Sequence, residues 1–153
     1  MATYSFKSVG KTQEQKKIEE IKKSKIPFGI KTPMSLGEGM IFQMNYDLVE
    51  QMADNLKNLL MTNWGERLGL YGFGANLKPL LFNMNNQDDF DNEAIARIKT
   101  AVETWMPYVE LENFSSTIDR MNKSEFVVRV KVTYNVPALE IQNKSVLISL
   151  YTT

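Results

Sequence analysis

The chain has 153 residues, 43% of them hydrophobic, with eighteen basic and eighteen acidic side chains and neither histidine nor cysteine. That size is expected to make one domain with a sizeable core, and the composition excludes disulfides, the usual zinc ligands and the Ser–His–Asp and Cys–His nucleophile pairs. Carboxylate-only catalysis stays open, and no run approaches the roughly 20 apolar residues of a membrane span.

The charge is unevenly spread. Residues 1–31 hold eight lysines against three glutamates, so the remainder is net acidic. The start, MATYSFKSVGKTQ, has no apolar signal core, and cytosolic synthesis is expected. Residues 1–24 read as a basic N-terminal extension ahead of an α+β domain at 25–153. A lysine-rich arm suits nucleic acid, an acidic partner or plain solvation, and no aromatic interleaving or binding motif accompanies it. From Ile26, prolines 27 and 33 and glycines 29, 37 and 39 block helix and mark turns. An extended segment is expected, with a short strand within Met40–Met44.

The next stretch organises the rest. Asp47 followed by Glu50 is a helix-start pair. Leu48, Val49, Met52, Leu56, Leu59 and Leu60 then recur on one face at helical spacing. After Asn63, WGERLGLYGFGANLKP carries four of the chain's eight glycines among Trp64, Leu68, Leu70, Tyr71 and Phe73. A compact, packed loop is expected. In it Arg67 has donors to tie up loose carbonyls, and Glu66 can take loop amides or pair with Arg67. A short helix follows from about Leu77 with Asn76 as its cap. Asp91 is expected to cap a second strong helix whose buried stripe is Ile95, Ile98, Val102 and Trp105, ended by Pro107. Glu93 and Arg97 form an i,i+4 pair.

The last third changes period from 3.6 to 2. YVELENFSSTI, EFVVRVKVTYNV and SVLISLYT are three strand candidates. In the middle one Phe126, Val128, Val130, Val132 and Tyr134 share a face, opposite Val127, Arg129, Lys131 and Thr133. The fold expected is α+β: two main amphipathic helices packed on a C-terminal three-stranded, mostly antiparallel sheet, with an extended N-terminal arm. The last strand, Val146, Leu147, Ile148, Ser149, Leu150 and Tyr151, carries no charge after Lys144 and suits a sheet edge open to strand addition.

The segment NLKNLLMTNWGERLGLYGFGANLKPLLF resembles the signature of the lysozyme-like baseplate wedge subunit of contractile-tailed phages, a family shared with contractile bacteriocins and type six secretion baseplates. Leu59, Leu60, Thr62, Gly65, Glu66, Arg67, Phe73 and Gly74 stand at the motif positions. The resemblance covers roughly Lys25 to the C-terminus. It implies a structural, non-enzymatic subunit in the virion tail baseplate, assembled in the host cytoplasm, without cofactor, small-molecule substrate, nucleic acid or membrane. Its partners would be other wedge proteins and the tail sheath protein. Gly65, Glu66, Arg67, Phe73 and Gly74 would form the assembly loop. Where the family carries Glu-Pro-Arg, a wedge-docking motif, this chain has Met106, Pro107 and Tyr108, so only the proline matches and an apolar or tyrosine-mediated contact replaces the salt-bridged one. The resemblance also implies that the 146–151 strand faces the sheath and starts its assembly. The enzymatic alternative is a muramidase. Glu66 would be a general acid of raised pKa, partnered by one of Asp88, Asp89 and Asp91 at roughly 5 Å or roughly 6.5–9.5 Å.

Overall fold

A computed structural model describes residues 26–37, 41–83, 87–120 and 126–152. The basic extension 1–24 lies outside the described residues. The chain divides into two units between Leu48 and Val49. In the first, β1 (Gly29–Ile30) pairs antiparallel with β2 (Met44–Asn45). Lys31 N donates to the Gln43 carbonyl, and Gln43 N donates to that of Ser35. The strand expected in 40–44 is thus shorter and ends one residue later.

The second unit holds the core. Helix α1 (Leu48–Met61) buries Met52, Leu56, Leu59 and Leu60. These are positions of the predicted stripe, because spacings of three and four bring them to one face. It begins directly after Asp47 and closes where Thr62 turns back, its N–H and Oγ1 both donating to the Asn58 carbonyl. Helix α2 (Lys78–Asn83) buries Leu80 and Leu81, with Pro79 in the first turn where a missing N–H costs little.

Helix α3 (Gln87–Trp105) corrects two expectations. It begins four residues before Asp91, so Asp91 is inside the helix and is not its cap. Phe90, 1% exposed, draws residues 87–91 into the helix by filling the core. Asp88 and Asp89 occupy the first turn, where negative charge suits the helix dipole. Asp91 instead accepts from Ser116 Oγ at 2.5 Å. The buried stripe is Phe90, Ala94, Ile98, Ala101 and Val102; Ile95 is 44% exposed and Trp105 only half-buried. The true stripe is turned toward small alanines, which let the helix approach the sheet closely, and Ile95 falls on its margin. Glu93 and Arg97 pair at 2.9 Å, as the i,i+4 spacing predicts.

Strands β3 (Glu110–Arg120), β4 (Phe126–Val136) and β5 (Ile141–Tyr151) form an antiparallel meander in the order β3-β4-β5. Val128, Val130, Val132 and Tyr134 turn into the core with Val146, Ile148 and Leu150 of β5, opposite them in register. Period-2 patterning with one packed face produces this arrangement. Burial raises the pKa of the Tyr134 phenol above its usual value. A 3₁₀ turn (Pro137–Leu139) joins β4 to β5, closed by left-handed Glu140, so β5 starts before the Ser145 expected from sequence. The fold is therefore the α+β arrangement expected: two main helices and a three-stranded antiparallel sheet near the C-terminus.

Candidate functional site

The loop between α1 and α2 is built around Asn63, a buried residue that sequence reading passed over. Its backbone N–H donates to Glu66 Oε2 at 2.7 Å and its Nδ2 to Glu66 Oε1 at 2.8 Å. Its Oδ1 accepts from Lys78 N at 3.2 Å, satisfying a free amide at the start of α2. Asn63, and not the expected Asn76, therefore caps that helix. Asn76 lies in the left-handed region, and its carbonyl accepts from Arg97 Nη1 at 2.7 Å. The Asn63–Glu66 spacing of three is a local capping-box pattern, but only a partner fifteen positions away reveals that Asn63 also caps α2.

Two further ties close the loop. Ala75 N donates to the Leu59 carbonyl and Asn76 N to that of Thr62, which draws the loop's return limb against the end of α1. Gly74 makes this possible: its φ is 110°, and a Cβ there would overlap the Thr62 carbonyl. The Gly74 carbonyl accepts from Trp64 Nε1 at 3.1 Å. Gly65, φ 85°, turns the outgoing limb so that its N–H reaches the Tyr71 carbonyl at 2.8 Å. The loop is compact at its base, where Ala75 and Leu77 are buried, but its tip is not packed. Leu68 is 94% exposed and Tyr71 68%.

The electrostatics of Glu66 run against its use as a general acid. The backbone amide of Asn63, then its side-chain amide, hold the carboxyl below its usual pKa, and Lys78 Nζ at 3.9 Å adds a minor pull; desolvation opposes them weakly. Hydrogen bonds to the charged form stabilise it, so the raised pKa expected of a muramidase acid is not found. Among its candidate partners, Asp91 is bonded to Ser116, while Asp88 and Asp89 lie exposed in the first turn of α3.

Arg67 also departs from expectation. Its guanidinium lies over the Phe73 ring, 4.4 Å from the centroid, and among the described residues no loop carbonyl accepts from it. Phe73 in turn meets Trp105 edge-on at 5.2 Å between centroids. This stack, Arg67–Phe73–Trp105, runs from the loop to the end of α3 and orients the guanidinium without using its N–H groups.

The structure thereby joins two constellations far apart in sequence. Glu66, Arg67 and Phe73 line one groove of about 600 Å³ with Met106 and Tyr108, and the end of α1 contributes to its wall through Asn58 and other residues. Met106 is 5% exposed and belongs to the floor, which corrects its reading as a docking side chain. Pro107 and Tyr108 stay exposed at the corner between α3 and β3. The β5 strand is separate from this groove. It pairs with β4 alone among the described residues, with Leu147 and Tyr151 exposed and Val146, Ile148 and Leu150 buried. Among the described residues no group of three His, Cys, Asp or Glu is placed to hold a metal ion, and no helix is long and apolar enough to cross a membrane.

No family model matches the chain, and comparison with curated proteins finds no match. Solved structures do match. A chain in the cryo-EM baseplate of the anti-feeding prophage aligns with a TM-score of 0.56 at 20% identity, over 69% of this chain and 81% of that one. A crystal structure from Geobacter sulfurreducens, described as a candidate tail lysozyme, aligns with a TM-score of 0.52 at 19% identity, over 69% of this chain and 90% of that one. What this likeness establishes is the fold: the α+β architecture with its three-stranded meander is the one found in a chain of the anti-feeding prophage baseplate and in a candidate tail lysozyme chain.

Proposed function

We propose that this chain is a structural subunit of a contractile tail baseplate wedge, held between other wedge proteins in the virion tail and initiating sheath assembly by strand addition. The observation that carries the reading is the fold shared with a chain of the anti-feeding prophage baseplate. Two features of this chain support it. The groove beneath the loop offers neighbouring wedge proteins an oriented guanidinium, Arg67, beside Tyr108 and apolar Phe73. An Arg fork on a fixed stack suits a partner carboxylate.

The two sheet margins differ in the way strand addition needs. At β3, Glu110, Glu112 and Asp119 bring charge, the register shifts between Leu111 and Asn113, and Gln87 Nε2 donates to the Ser116 carbonyl. Charges, bulges and covering side chains are the means by which proteins blunt an edge. At β5, Ser145–Tyr151 is uncharged and keeps regular register with β4. An incoming strand from the sheath protein would extend the sheet there.

The muramidase alternative draws on the description of the Geobacter chain. It needs a neutral Glu66, whereas Asn63 stabilises the charged form. The test is co-expression with the other baseplate chains and the sheath protein of the same particle. Arg67→Glu with Tyr108→Asp should abolish co-purification with the baseplate chains. Leu147→Lys with Ser149→Lys should spare that complex and prevent sheath polymerisation on it. Peptidoglycan turnover by the wild type that disappears in Glu66→Gln would overturn the reading.

A further inference from the structure

We infer that a second cleft, between α3 and β3 and apart from the assembly groove, is a docking site for a basic amphipathic helix of a partner protein. The cleft has a volume of about 490 Å³. Its floor is apolar, made by Ile98 and Val102 of α3 and Val132 of β4, all buried. At its mouth Ile95 and Leu111 remain 44% and 36% exposed, one on each wall. Apolar side chains facing each other across an open cleft are unspent hydrophobic surface that an apolar insert would cover.

The rim gives the sign of the partner. Glu103, Glu110 and Glu112 are exposed carboxylates lining the cleft. Among the described residues Lys99 is the one lining cation, and it lies 3.9 Å from Glu103. Three carboxylates against one partly offset ammonium make a negative frame around an apolar floor. An occupant with apolar anchors flanked by Lys or Arg is complementary to it in both respects.

The conformation of the occupant follows from β3. Main-chain pairing needs an uninterrupted ladder edge, but the register of the wall strand shifts between Leu111 and Asn113, within the stretch that lines the cleft. Recognition therefore runs through side chains, as when a helix lays its apolar face into a groove with anchors at i and i+3 or i+4. The surface shares no residue with the groove of the proposed assembly function, so either can fail alone.

The test uses the full chain, isotope-labelled for NMR, and two synthetic 15-residue peptides. One has leucines at i, i+4 and i+7 flanked by lysines; the other replaces every lysine by glutamate. Saturable shifts at Ile95, Lys99, Leu111 and Glu112, with helicity gained by the basic peptide alone, are expected. Glu110→Lys with Glu112→Lys should weaken binding about tenfold or more, as should Ile95→Asp, both with unchanged circular dichroism. Should the double variant unfold, single Glu112→Gln should still give measurably weaker, less salt-sensitive binding. Equal binding by the acidic peptide, shifts centred on Tyr71 or Tyr108, or a bound peptide that stays extended would each overturn the inference.

Discussion

Asn63 reaches Glu66 twice, through its backbone N–H and through its side-chain amide, and with its remaining oxygen caps a helix that begins at Lys78. One buried side chain thus ties the end of α1, the glutamate of the loop and the start of α2. Asn63→Ala should cost about 2 kcal/mol, since it removes a cap and a charge-assisted bond together. Chemical denaturation would read this as a lower midpoint at unchanged slope.

Glu66→Gln should cost less, about 1 kcal/mol, seen as a fall in Tm of about 2–4 °C. The amide keeps one acceptor oxygen for one donor of Asn63, but its NH₂ faces the other donor and leaves it unpaired. The effect should depend on pH in a defined sense. The folded pKa of Glu66 lies below its ordinary 4.5, so the carboxylate contributes stability above that value and loses it as pH falls through the folded pKa. The stability gap between wild type and Glu66→Gln should therefore be constant from pH 7 to about 5 and close under more acid conditions. A gap that widens on acidification would mean that Glu66 is held neutral instead.

Gly74 and Gly72 make a paired test of the loop. A methyl group at position 74 meets the Thr62 carbonyl and a φ of 110°, whereas position 72 has open space around it. Gly74→Ala should destabilise by about 2 kcal/mol or more, and Gly72→Ala should change stability by no more than about 0.5 kcal/mol. Equal thermal shifts in the two variants would show that the close approach to Thr62 is not retained in solution.

Arg67→Ala separates stability from assembly. The guanidinium is exposed, and its stacking on Phe73 at such a site contributes about 0.5–1 kcal/mol. The melt should move by only a few degrees while baseplate co-purification is lost. Phe73→Leu should affect both, because it removes the middle of the stack that reaches Trp105.

Much of this molecule was open to direct reading. The leucine stripe of α1, the Glu93–Arg97 pair and the alternating face of β4 all follow from local periodicity, which a chain expresses without reference to distant partners. Helix and strand repeats bring near neighbours to a common face, so Leu56, Leu59, Val130 and Val132 announce the core by spacing alone. The places of Ile95 and Asp91 escape such periodicity for a related reason. Periodicity says that a stripe exists, but its centre on α3 depends on how closely Ala94 and Ala101 let the sheet approach, and on Phe90 finding a pocket in the core.

The candidate site was less accessible. Gly65, Glu66 and Arg67 stand out as one motif, and Met106, Pro107 and Tyr108 as another, but residues 68–105 separate the two sets. Nothing local relates them. They meet because the end of α3 returns to the base of the α1–α2 loop, where Phe73 packs on Trp105. The same return buries Met106, exposes Tyr108 and turns Arg67 onto an aromatic face. Whether a side chain caps, stacks or faces solvent depends on groups brought near by folding, and those distances exist only once the core has closed.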